Sequence, residues 1–208
     1  MSSIHAAKLN CLTVWNRGSI PVLSLIMALV LAGCGGGSGA SVKRSTYLPR
    51  STLGTISLDS AAFRPGGPIS KRYTCDGAGL SPPLRWHNAP AGTAELLLLA
   101  IDLNGGRRDA VQWAVGGLAP NLHGIATGRL PATAVLGRDS AGKSGKSGKS
   151  GWGGICGLRG RVHHVAFLLY ALSRRMGLKA GFDPAIVRSA LKSATLARGL
   201  TVATYRRR

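Results

Sequence analysis

The sequence predicts a mainly β domain closed by one late helix, and three stretches carry that prediction. Ala94–Leu103 (AELLLLAIDL) and Ala166–Leu172 (AFLLYAL) are continuous apolar runs. Such runs suit strands buried on both faces, where polar alternation is lost because neither side meets water. The third stretch, Asp183–Gly199, is the one with a clear helical period. Asp183 reads as its N-cap, Pro184 as its first helical residue and Gly199 as its C′ stop. Between them Ile186, Val187, Ala190, Leu191, Ala194 and Ala197 fall on one apolar face. A chain of 208 residues, 45% of them apolar, has material for one packed domain plus a processed leader.

Residues 1–33 read as a signal peptide. Lys8 and Arg17 make a positive start without acids, and Ile20–Leu31 is an apolar run broken only by Pro21 and Ser24. A bilayer-spanning helix needs about 20 apolar residues, so this shorter run fits a cleaved leader. It ends in Leu31-Ala32-Gly33-Cys34, which resembles the lipobox of bacterial lipoproteins. That resemblance implies cleavage before Cys34 and acylation of its sulfur. Two or more acyl chains anchor a protein stably where one is marginal. Gly35 replaces the Asp that resembles an inner-membrane retention signal. The expected location is therefore the bacterial cell envelope, lipid-anchored at the outer membrane and facing the periplasm. Residues 34–54 are Gly- and Ser-rich with scattered basic residues, the composition of a flexible tether.

Charge narrows the partners. There are 27 Lys and Arg against 7 Asp and Glu, a formal charge of +20 that becomes +18 once Lys8 and Arg17 leave with the leader. Such a surface attracts anions of many kinds. The basic residues are spread out, and no helix-turn-helix, RNP or zinc-finger pattern turns charge into specific nucleic-acid readout.

Within the domain, residues 55–208, the elements follow in order. Thr55–Leu58 is expected to be a strand, and Arg72–Cys75 another, after the Pro/Gly-broken turn Ala61–Ile69. Tyr73–Trp86 (YTCDGAGLSPPLRW) breaks at Asp76-Gly77 and is stiffened by Pro82-Pro83, a fixed-shape loop. It holds Cys75, Asp76 and Trp86 in set positions. The Ala94–Leu103 strand places Asp102 at its mouth, where a carboxylate caps a turn or serves a site. Ala110–Val115 and Ala132–Leu136 are further strands. Residues 139–151 hold three Lys-Ser-Gly triplets, a low-complexity cationic loop. Gly137–Ser144 matches a phosphate-loop pattern, but the glycines after it oppose the helix such a loop must open. Leu200–Tyr205 is the expected closing strand.

The TCDG-x-x-x-SPPL-x-W run at 74–86 resembles the phosphatidylethanolamine-binding protein family, in its bacterial Raf-kinase-inhibitor-like branch. The resemblance covers about residues 55–205, and is strongest at 73–86 and 166–172. It implies a two-sheet β-sandwich with one C-terminal amphipathic helix. It also implies an anion pocket where three segments meet, at positions Asp102, Gln112, Gly154, His163 and Val165, with Asp76 and Trp113 beside them. Departures from the family pattern are plain. Asp102-Leu103-Asn104-Gly105-Gly106 stands for Asp-Pro-Asp-Ala-Pro, Gln112 for the His of a His-Trp pair, Val165 for a Tyr, and Ile155, Gly157 and Leu158 for three prolines. Cys75 and Cys156 remain as an even pair once Cys11 leaves with the leader and Cys34 takes lipid. In an oxidising compartment, on loops that by the resemblance flank the pocket, they are expected to form a disulfide.

The function expected is a membrane-anchored, non-catalytic binding protein without a cofactor. Its ligand would be an anionic small molecule or phospholipid head group. The alternative is a protein-interaction or inhibitor module with a vestigial pocket, and the remote one a small hydrolase. No G-x-S-x-G elbow supports catalysis. No metal is expected, because His163 and His164 point to opposite faces of a strand, and His87 and His123 lack ligand spacing.

Overall fold

A computed structural model describes residues 53–105, 110–140, 151–157 and 159–208. The leader, Cys34, nearly all of the tether and most of the Lys-Ser-Gly run lie outside the described residues. Among the described residues nine strands and one α-helix carry the domain: β1 (Gly54–Thr55), β2 (Ser57–Asp59), β3 (Leu84–His87), β4 (Glu95–Asp102), β5 (Ala110–Leu118), β6 (Gly124–Ile125), β7 (Val135–Leu136), β8 (Val162–Leu172), α1 (Pro184–Ala194) and β9 (Thr195–Arg206). They build a six-stranded sheet in the order β1-β9-β8-β4-β5-β7 and a three-stranded sheet in the order β2-β3-β6. Pairing is antiparallel except between β1 and β9.

The large sheet is buried on both sides, and this explains the sequence of its central strands. Every residue of β4 is buried. Leu96, Leu98 and Ala100 join Trp113, Val115, Val165 and Phe167 against Leu58, Leu84, Trp86 and Ile125 of the small sheet. Leu97, Leu99 and Ile101 face the other way, with Leu168, Tyr170 and Leu172, toward Val187 and Leu191 of α1. Each fully buried leucine contributes about 1.5–3 kcal/mol, so a run that feeds two cores dominates the fold. The one carboxylate at the start of β4 is satisfied rather than exposed. Glu95 accepts from Gly117 N and Met176 N, each at 2.8 Å, and so ties β4 to the connection before α1.

Three expectations about elements need correction. Arg72–Cys75 is not a strand. A 3-10 turn occupies Lys71–Tyr73, and Thr74 makes a single bridge to Ile155. Thr74 Oγ1 donates to Lys71 O and accepts from Asp76 N, local bonds that compete with a ladder. Gly199 does not stop the helix, which ends at Ala194 and passes straight into β9. A Cβ at Gly199 would lie 2.9 Å from Leu58 Cβ and 3.0 Å from Ile56 O, so this glycine admits the chain crossing over mid-strand. Ile186, expected on the buried face of α1, is 59% exposed. The start of the helix is as its sequence indicates: Asp183 accepts from Ala185 N at 2.8 Å, and Pro184 follows.

Candidate functional site

The end of β4 meets the start of β8 at a polar cluster inside an otherwise apolar wall. Asp102 pairs in register with Val165, and His163 lies one pleat further along the same face. Asp102 is 3% exposed and His163 2%. Asp102 Oδ2 accepts from His163 Nδ1 at 2.8 Å and from Gln112 Nε2 at 3.2 Å. Its Oδ1 accepts from Asn104 N at 2.9 Å. One oxygen therefore caps the β4 turn while the other orients an imidazole and an amide. Burial makes such a cluster costly unless its groups are bonded. Among the described residues nothing bonds Gln112 Oε1 or His163 Nε2, although both are buried. His164 faces out, with its ring and backbone N both on Asn104 Oδ1.

A glycine loop covers the imidazole. A Cβ at Gly157 would fall 2.1 Å from His163 Cδ2, so the backbone there rests on the ring. Gly154 has φ +80°, and a Cβ on it would meet Cys75 N at 2.7 Å. The loop is fastened to the 73–77 turn at several points. Trp152 Nε1 donates to Tyr73 O at 3.0 Å, and Cys75 N donates to Ile155 O at 3.4 Å. Cys75 and Cys156 form a disulfide, with Cα atoms 5.4 Å apart.

The structure brings Asp102, Gln112, His163 and the glycine loop together, and sets Asp76 and Trp113 in other roles. Trp113 is 2% exposed and packs edge-on against Trp152 in the inter-sheet core. Asp76 accepts from the Tyr205 hydroxyl and from Arg207 Nε, the latter at 2.9 Å. The Tyr205 hydrogen bond, aided by the charges of Arg207 and Arg159, holds the Asp76 carboxyl below its usual range against a smaller opposing effect of burial. Burial first, and then Asp76, push the Tyr205 phenol up. Tyr205 is the residue sequence reasoning missed. It is the register partner of His163 on β9, so a phenol stands next to the imidazole although position 165 is a valine. The sequence carried no signal for it, because LTVATY does not alternate: Leu200 is 46% exposed while Thr201, on the face of Tyr205, is 2% exposed.

A family model described as phosphatidylethanolamine-binding protein matches residues 59–206. Over 201 residues the chain is 32% identical to a Mycobacterium tuberculosis protein named "Putative lipoprotein LppC", covering 91% of this chain and 96% of that one. The crystal structure of CT736 from Chlamydia trachomatis, described as a phosphatidylethanolamine-binding protein homolog, gives a TM-score of 0.65 at 28% identity, over 74% of this chain and 99% of the other. E. coli YbcL, described as a member of the mammalian PEBP family, gives 0.65 at 21% identity with the same coverage, and shares the fold.

Proposed function

The chain belongs to the phosphatidylethanolamine-binding protein family, and on that premise we propose that it is a non-catalytic, membrane-anchored binder of a phosphate-like anion. The observation that carries the reading is the buried Asp102–His163 pair, with His163 Nε2 and Gln112 Oε1 unbonded beside it among the described residues. With Nδ1 held by Asp102, the imidazolium form offers Nε2–H to an anionic oxygen, whereas Gln112, whose Nε2 is on Asp102, leaves Oε1 as an acceptor for a protonated ligand oxygen or an ammonium group. Hydrogen bonds to an ionised partner are the stronger kind, so even a small donor set can select an oxyanion. The bonds to Asp102 come from His163, Gln112 and the Asn104 backbone, an arrangement suited to holding a charge. Cys34 is the proposed lipid attachment, and the bacterial envelope, at the outer membrane facing the periplasm, the proposed location. The relative named as a lipoprotein, aligned over 91% of this chain, supports it.

The near-complete burial of His163 favours one second reading, an interaction module whose pocket is vestigial. A titration with phosphate and phosphoethanolamine, following the His163 imidazole by NMR, separates the two. The binder gives saturable shifts that are lost in Asp102→Asn, a variant that keeps the side chain's shape. A silent His163, or shifts that persist in the variant and fade with salt, sinks the binder reading.

A further inference from the structure

A second polar cluster lies on the small sheet, away from Asp102 and His163. Arg85 and His87 alternate with the buried Leu84 and Trp86 on β3, so both point to the open side. Antiparallel pairing sets Gly124 of β6 opposite Arg85. A Cβ at Gly124 would lie 2.5 Å from Leu84 O, so only glycine lets β6 approach β3 this closely. Trp86 fastens the incoming loop from both ends, its N donating to His123 O at 2.9 Å and its Nε1 to Leu122 O. His123 is thereby fixed beside His87, with ring centroids 6.5 Å apart and planes 21° from parallel. The result is a groove of about 790 Å³ lined by Arg85, His87, His123 and Arg129 over a floor of Leu84 and Ile125.

We infer that this groove is a second anion site, for the phosphate ester group of a small ligand or lipid head group. Guanidinium forks match phosphate oxygens in geometry and charge, and imidazole N–H groups add directional donors. All four polar side chains are exposed. Neither Arg85 nor Arg129 is in an ion pair among the described residues. Asp59, the neighbour of Arg85 in register on β2, is the carboxylate facing the group from the adjacent strand, and the cluster keeps an excess of positive charge. The apolar floor suits the carbon body of an ester better than a bare ion. The inference stands apart from the Asp102–His163 reading, because the two sites share no residue.

The experiment is an NMR titration of the protein with glycerol 3-phosphate, following the imidazoles of His87, His123 and His163 separately. Saturable shifts of His87 and His123 are expected. They should weaken about tenfold or more in Arg85→Gln/Arg129→Gln, and survive both Asp102→Asn and the control Arg174→Gln/Arg175→Gln, which removes the same charge elsewhere. Vesicles of phosphatidylcholine doped with phosphatidic acid assign the source. Displacement of glycerol 3-phosphate by the vesicles identifies a lipid head group, and its absence a soluble ester. Shifts that never saturate, or that weaken as much in the Arg174/Arg175 control, overturn the site. Failure of His163 to respond bears only on the other pocket.

Discussion

Asp76 and Tyr205 are 129 residues apart in the chain, yet one hydrogen bond between them joins the 73–77 turn to the last strand. The fold favours the ionised carboxylate and the protonated phenol, and each preference is a dependence of stability on pH. For Asp76, whose folded pKa is depressed, the contribution is complete above the unfolded value of about 3.9. It is lost as pH falls through the lower folded value. For Tyr205, whose folded pKa is raised, the contribution is complete below about 10. It is lost as pH rises through the higher folded value. Tyr205→Phe keeps the ring and removes the hydroxyl, so it should weaken both dependences while leaving the inter-sheet packing in place. Thermal unfolding at stepped pH should show the variant below the wild type at neutrality, with the two curves converging in strong acid. Curves that stay parallel from neutrality into strong acid would show that this bond is not a source of the acid dependence.

At the level of elements, the helix separates what sequence reveals from what it conceals. Its start was legible because capping is local: Asp183 bonds a backbone N–H two residues on, and Pro184 has no N–H to lose. Its end was not, because Gly199 answers to Ile56 and Leu58 across the sandwich rather than to the helix. Long buried strands were legible from their apolar runs, whereas Arg72–Cys75 looked like a strand until side-chain bonds from Thr74 claimed its backbone. Asp102 and His163 could be found by resemblance, but Tyr205 and the His87–His123 pair could not. Each is assembled by strand pairing between segments that are distant in sequence. The buried face of α1 makes a direct comparison. Leu191 is 5% exposed and Ile186 59%, although both sit on the apolar face that periodicity defines. Leu191→Ala should cost about 2–5 kcal/mol by loss of buried surface and the cavity left behind. Ile186→Ala should stay within about 0.5 kcal/mol. Chemical denaturation of both variants checks this, and equal losses would mean that the α1 face packs as the sequence pattern alone implies.

At the scale of the molecule, two different forces could hold this chain at an envelope. One is the formal charge, +20 for the full chain and +18 without Lys8 and Arg17 of the expected leader, which draws it to any anionic surface and is screened by salt. The other is the proposed acylation at Cys34, which salt would not weaken because it would rest on hydrocarbon burial. Among the described residues no helix is long and apolar enough to cross a membrane, and the described surface of the sandwich supplies no apolar run comparable to its core strands. Salt and the Cys34→Ser change therefore form a two-way test. Wild type produced in a bacterium that processes lipoproteins should sediment with membranes and remain there in about 1 M salt, where the Debye length falls to about 3 Å. Cys34→Ser should move to the soluble fraction in the same salt, while keeping the His163 and His87 responses, because neither cluster involves the leader. Release of the wild type by salt alone would assign the association to charge. A Cys34→Ser chain that still sediments in high salt would require a hydrophobic attachment other than acylated Cys34.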